Sequence, residues 1–147
     1  MTTGTFRGLP GDWARRPMTD PDLFAGVVDL AVFEAFRAIG GVALLLCHAD
    51  GRLMQPVTVT TVNSALPRGE AEARLAVILA DIVGRGVSAV VMVVARPGSA
   101  EASERDRALR DAFVRASRAS GITLLGVALA VPGAVVDLTP ASTTEAA

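Results

Sequence analysis

Apolar and polar residues are distributed along this chain in two distinct patterns. Three stretches are apolar almost without interruption: Val42–Cys47, Ser88–Ala95 and Ile122–Val131. Runs of this length are too short to be buried helices. They read as strands covered on both faces, as in the centre of an α/β sheet. A fourth stretch, Pro56–Val62, alternates Val57, Val59 and Thr61 with Thr58, Thr60 and Val62, the pattern of a half-exposed strand. Val135–Leu138 follows the turn Pro132-Gly133 as a short returning strand.

Between these strands the spacing becomes helical. Asp20-Pro21-Asp22 is a good helix start, with Asp20 as cap, Pro21 at the first position and Asp22 at the positive end of the dipole. A broad apolar face follows from Leu23 to Ile39, carrying Phe24, Val28, Phe33 and Phe36, and Gly40-Gly41 ends it. A face this wide exceeds what one domain covers, so Phe24, Val28, Phe33 and Phe36 are expected at an interface. Glu70–Arg85 and Ala102–Ser120 read as two more helices. His48-Ala49-Asp50-Gly51 reads as a hairpin turn.

The predicted order is α-β-β-α-β-α-β-β: an α/β (α+β) single domain over 20–138, with a mixed sheet of about five strands and helices packed on it. Residues 1–19 read as an irregular N-terminal arm, in which Trp13 docks either on the domain or on a partner. Residues 139–147 read as a disordered tail.

Composition narrows the possible functions. The chain has 147 residues, fitting one domain, and 51% of them are apolar, enough for a sizeable core. Net charge is −1, so the basic excess of a nucleic-acid-binding protein is missing. All 14 cationic side chains are arginine, which excludes Schiff-base and lysine general-base chemistry. The bias toward Ala, Val, Gly and Arg points to a GC-rich bacterial source. Cys47 is the only cysteine, so no internal disulfide forms, in keeping with a reducing cytoplasm. Met1–Arg16 holds no apolar stretch of the secretory type, and no apolar run approaches a bilayer span; a cytoplasmic protein without membrane contact is expected.

Candidate chemistry falls in three places. Cys47-His48-x-Asp50 brings together the only thiol and the only imidazole. Neighbours on a strand point to opposite faces, so Cys47 is read as a core residue and His48 as a turn residue. Arg96-Pro97-Gly98-Ser99, followed by Ser103-x-x-Asp106, closes a buried strand and opens a helix. Arg96, Gly98, Ser99, Ser103 and Asp106 therefore form a candidate anion site, with helix capping as the competing role of Ser99 and Ser103. The helix 102–120 is rich in arginine, but Glu101, Glu104, Asp106 and Asp111 interleave with its cations, which describes a solvated, ion-paired face.

The segments Val42-Ala-Leu-Leu-Leu-Cys-His-Ala-Asp-Gly-Arg-Leu53, Val57-Thr-Val-Thr-Thr-Val-Asn-Ser64 and Ser88-Ala-Val-Val-Met-Val-Val-Ala-Arg-Pro-Gly98, with Ser103-x-x-Asp106 and Gly121-Ile-Thr-Leu-Leu125, resemble the RadC-like members of the JAB/MPN metalloprotease-fold family. The resemblance covers about residues 42–138, two-thirds of the chain. It implies a zinc site built from His-x-His-Pro at the end of the strand, a Ser-x-x-Asp on the next helix and an upstream Glu base. Pro97 matches the family proline, but the histidine positions fall on Val94 and Arg96. Ser103 and Asp106 lie one residue nearer to Pro97 than in the family, and Glu34 or another acid would have to be the base. Val has no donor atom and Arg repels Zn²⁺, so the resemblance implies a scaffold that has lost its metal. A second resemblance, to actinobacterial α/β domains of unknown function, rests on Gly86–Val94 and Ser120–Leu125 and implies no activity.

The expectation is a non-catalytic binding or scaffold module, without metal or cofactor, acting as a homodimer or on a protein partner. The alternative is a small hydrolase or transferase, or an anion-binding protein, using Cys47 or the Arg96–Ser99 loop.

Overall fold

The computed structural model describes residues 8–140. A five-stranded mixed sheet runs through it: β1 Gly41–Cys47, β2 Leu53–Val59, β3 Ala89–Ala95, β4 Thr123–Val131 and β5 Ala134–Asp137. In space their order is β2-β1-β3-β4-β5. Only β3 and β4 pair in parallel; every other pair is antiparallel. The helices are α1 Phe24–Ala31, α2 Glu34–Ile39, α3 Arg68–Gly84 and α4 Glu104–Ser120. The α/β class with a mixed sheet is thus the observed one.

Every residue of β1 and β3 is buried, because both faces of these central strands are covered. Val42, Leu44, Leu46, Val90, Met92 and Val94 face the layer of α3 and α4, where Leu75, Leu79, Leu109 and Phe113 complete one core. Ala43, Leu45, Cys47, Val91 and Val93 face α1, α2 and the N-terminal arm, where Leu23, Val27, Val28 and Val32 complete a second. β2 is an edge strand and half exposed, so it can accommodate Pro56, which has no N–H to give to a ladder.

Three expectations are corrected. The helix expected from 20 to 39 is two helices. Asp20 sits in a turn before α1, its carboxylate accepting from the Asp22 N–H at 3.0 Å, and the chain is extended at Val32 and Phe33. Apolar residues on nearly every side of a single helix could not all reach one sheet; the break turns Phe36 inward, where its ring lies against the backbone of Gly41.

The break leaves carbonyls at the end of α1 without helical partners. Arg37, 0% exposed, satisfies them. Its guanidinium donates to the carbonyls of Val32 (2.9 Å), Asp29 (3.0 Å) and Val131 (3.1 Å), and to the carboxylates of Asp29 (2.9 Å) and Glu34 (3.3 Å). Glu34 in turn accepts from the Gly133 N–H in the β4–β5 turn at 3.1 Å. One buried cation therefore joins α1, α2 and the end of β4.

The expected arm is irregular over its described part, from Gly8, and it docks on the domain. Trp13–Arg15 is a single 3-10 turn, Pro17 bridges Arg52, and the Met18 N–H donates to the Gly51 carbonyl at 2.8 Å. Met18 is buried, and Leu9 and Trp13 pack on the second core.

Second, four of the five expected interface residues serve the interior. Val28 is fully buried, Trp13, Phe24 and Phe36 pack on the core, and Phe33 alone is exposed. Phe24 owes its place to Gly126, where a Cβ would stand 2.7 Å from the phenylalanine ring.

Third, Thr139 belongs to the fold: its hydroxyl accepts from the Val127 N–H at 3.0 Å. The rest of the expected tail beyond Pro140, and residues 1–7 of the arm, lie outside the described residues.

Replacing Arg37 by Met should cost about 3 kcal/mol in urea unfolding, because buried carbonyls and the Asp29 carboxylate lose their donors. Arg37→Lys should recover little of this, since one ammonium cannot reach acceptors on three elements.

Candidate functional site

The strand register fixes where loops can meet. Val59 pairs with Val42, Val42 with Val94, and Val94 with Leu129. The C-terminal ends of β2, β3 and β4 therefore lie side by side, and α3 and α4 both begin there. Ligand sites of open α/β sheets form at this end of the strands.

Two arrangements occupy this end. The first is the loop after β3, where Arg96, Ser99, Ser103 and Asp106 do come together, as a closed cluster. Arg96 Nε donates to Asp106 at 3.0 and 3.1 Å, and one terminal nitrogen reaches the same carboxylate at 2.8 Å. The remaining N–H groups go to the carbonyls of Pro97, Ser99 and Glu101, each at 3.0 Å. All five guanidinium donors are thus engaged within the chain. Asp106 is fully buried and also accepts from the Ser103 N–H at 2.9 Å, while the Ser103 hydroxyl accepts from the Asp106 N–H at 3.1 Å. Ser103-x-x-Asp106 is a reciprocal capping box at the start of α4. Gly98 has φ +102, a conformation that favours glycine and lets the loop fold back over the guanidinium.

The anion site expected at Arg96, Gly98, Ser99, Ser103 and Asp106 is therefore corrected: the cation expected to hold an anion is neutralised by Asp106 and ringed by carbonyls. Burial alone would push the Asp106 carboxyl up. The hydrogen bonds from Arg96 and from the Ser103 backbone, together with the Arg96 charge, outweigh it and hold the group below the usual carboxylate range. The hydrogen bond to Asp106 raises the Arg96 guanidinium further above its ordinary value.

Zinc of the kind the RadC-like resemblance implies does not fit here. Val94 is fully buried without a donor atom, Arg96 is a permanent cation, and both Asp106 oxygens already accept hydrogen bonds. Among the described residues no group of three His, Cys, Asp or Glu side chains could hold a metal ion.

Cys47 is fully buried in the second core, and its thiol donates to the Leu45 carbonyl at 3.3 Å. Burial pushes the thiol up to about 11, so at neutral pH it is protonated and not a nucleophile. His48 lies at the start of the hairpin turn, its N–H donating to the Arg52 carbonyl at 2.8 Å. The Cys47-His48-x-Asp50 set stays unassembled.

The second arrangement was not foreseen from sequence. The loop after β2, the first turn of α3 and the first half of α4 enclose a cleft of about 370 Å³. Leu66, Ala71, Leu109 and Ala112 form its apolar part, Asn63 and Ser64 a polar end, and Arg68 and Arg105 its cationic rim. The Asn63 side chain accepts from the Ala65 N–H at 2.9 Å and shapes the loop wall. Arg68 and Arg105 are 37 positions apart, and Arg105 sits in a helix whose charges alternate in sign. No local motif marks them as a pair.

Comparison with protein-family models, with curated proteins and with solved structures gives no match. The site therefore stands on its own geometry.

Two outcomes follow. The folded-state value of Asp106 lies below its unfolded value of about 3.9, so its contribution to stability is complete above that pH and is lost as pH falls through the folded value. Asp106→Asn should lower stability at pH 7 by about 2–3 kcal/mol, and the gap to wild type should close below about pH 4 in urea melts. In native protein Cys47 should resist a thiol-specific disulfide reagent and react only on unfolding; rapid stoichiometric labelling of folded protein would contradict its burial.

Proposed function

We propose that the chain is a non-catalytic binding or scaffold module of a bacterial, cytoplasmic protein, working through contact with a partner chain or with a second copy of itself. One contrast carries this reading. Asp106, at the start of α4, is turned into its ion pair and Cys47 into the second core, while the cleft beside α4 presents apolar surface and the cations of Arg68 and Arg105, which have no partner among the described residues.

No helix among the described residues is long and apolar enough to cross a membrane, which is compatible with a cytoplasmic setting. The order of elements and the retention of Pro97 with Ser103-x-x-Asp106 support a RadC-like origin. In that origin the Arg96–Asp106 pair holds together a loop that in metal-bearing relatives carries the ligands.

Self-association is favoured by a separate observation. Phe33, just before α2, and Ile39, its last residue, stand 72% and 75% exposed, on the opposite side of the sheet from the cleft. Scattered apolar residues are ordinary on a surface, but two large ones at the two ends of a short helix are suited to a contact.

Light scattering after size exclusion at high micromolar concentration should give a mass above the 15.1 kDa of one chain. Phe33→Ser with Ile39→Ser should return it to that mass. Affinity purification from the native cell should otherwise yield a stoichiometric protein partner. A clean monomer that brings no partner down would overturn the reading.

A further inference from the structure

Most arginines of this chain are tied down. Arg16, Arg37, Arg52, Arg74, Arg85, Arg96, Arg110 and Arg115 each pair with a carboxylate. Among the described residues the side chains of Arg15, Arg68, Arg105 and Arg118 make no hydrogen bond or ion pair, and of these Arg68 and Arg105 line the same cleft. Two cations on one rim repel each other, and an anionic group between them relieves that repulsion.

The cleft does not end at its rim. A second, shallower depression of about 470 Å³ shares Arg68, Arg105 and Ala108 with the first. It continues along α4 past Glu104, Arg107, Arg110 and Asp111. Across this depression four arginines face two carboxylates, and one of those carboxylates, Asp111, is already paired with Arg110. The two clefts adjoin: the first is lined by the apolar Leu66, Ala71, Leu109 and Ala112, and the second has a net positive lining. Two adjoining depressions, one apolar and one with four arginines against two carboxylates, suit a chain segment that presents an apolar side chain beside acids.

We propose that these two clefts dock an acidic, apolar peptide segment of a partner protein. One apolar side chain seats on the Leu66–Ala112 floor, and carboxylates on either side of it lie against Arg68 and Arg105. The inference rests on the binding-module reading and supplies the chemistry of the partner. Arginine suits this task because its planar fork takes a carboxylate in two hydrogen bonds.

The test uses the full chain as bait for a displayed library of random decapeptides. Enriched peptides are then measured with a fluorescein label by anisotropy. The expected winners carry Asp or Glu next to Leu, Phe or Met, and their affinity falls as NaCl rises from about 50 to about 500 mM. Arg105→Glu should weaken them about tenfold, and Arg68→Glu with Arg105→Glu should abolish binding. The double variant should keep the wild-type melting temperature, because neither side chain has an internal partner to lose. It should also bind the same peptides once their acids are changed to Lys, which shows that the clefts are intact.

Enriched peptides without acids would overturn the proposal, as would peptides indifferent to the double charge reversal. The latter result would leave a binding module whose contact lies elsewhere. Binding of ATP or inorganic phosphate at Arg68 and Arg105, with no peptide enriched, would overturn it in favour of a small-anion site. An empty selection also overturns it, whereas the broader reading falls only with the mass and partner measurements above.

Discussion

The rest of this fold follows from one constraint: β1 and β3 are apolar on both faces and must be covered on both. A strand whose every residue is buried cannot lie on the surface of a two-layer protein. Two helical layers are therefore required, and the chain supplies them unequally. α3 and α4 are long helices that cover one face with Leu75, Leu79, Leu109 and Phe113. The other face is lined by small side chains such as Ala43, Ala95, Ala128 and Ala130, so its cover comes close to the sheet. The short pair α1 and α2 and the N-terminal arm provide that cover.

Close approach has a polar consequence. Breaking the helix at Val32–Phe33 brings backbone carbonyls into the interior, and a buried carbonyl without a donor costs about 1–3 kcal/mol. Arg37 meets this need by donating to three carbonyls, as Arg96 does at the other arginine-centred junction. Both side chains act as branched connectors that satisfy acceptors from several segments at once. A residue type that sequence composition assigns to the surface here holds together two of the places where the chain changes direction.

Placing the ends of β2, β3 and β4 together also decides what the protein can offer to others. Asp106 lies in the ion pair that shapes the loop after β3, and this pairing leaves the neighbouring cleft as the open feature of that end. Arg68 and Arg105 reach the cleft from different helices, and among the described residues neither is held in an ion pair. The exposed Phe33 and Ile39 lie on the other helical layer, so a partner in the cleft and a contact through α2 would not compete for the same surface.

Much of the architecture was written in local patterns. Uninterrupted apolar runs marked β1, β3 and β4, the alternation of Val57, Thr58 and Val59 marked a half-exposed β2, and Ser103-x-x-Asp106 marked the start of α4. These signals are legible because strand burial and helix capping depend on residues a few positions apart. The break between α1 and α2 was not legible, since Leu23–Ile39 keeps helical spacing throughout and only the geometry of the sheet beneath it forces the turn. Nor was the role of Arg96, because a cation before Pro-Gly-Ser looks like an anion clamp until Asp106 is seen to occupy it. The pairing of Arg68 with Arg105 is set by α3 and α4 starting at one end of the sheet. The sequence by itself determined which segments are buried and which class of fold they make, because burial follows from side-chain polarity. The tertiary structure alone decided which charges are consumed and which remain free, because that depends on groups distant in the chain arriving within about 3 Å of each other.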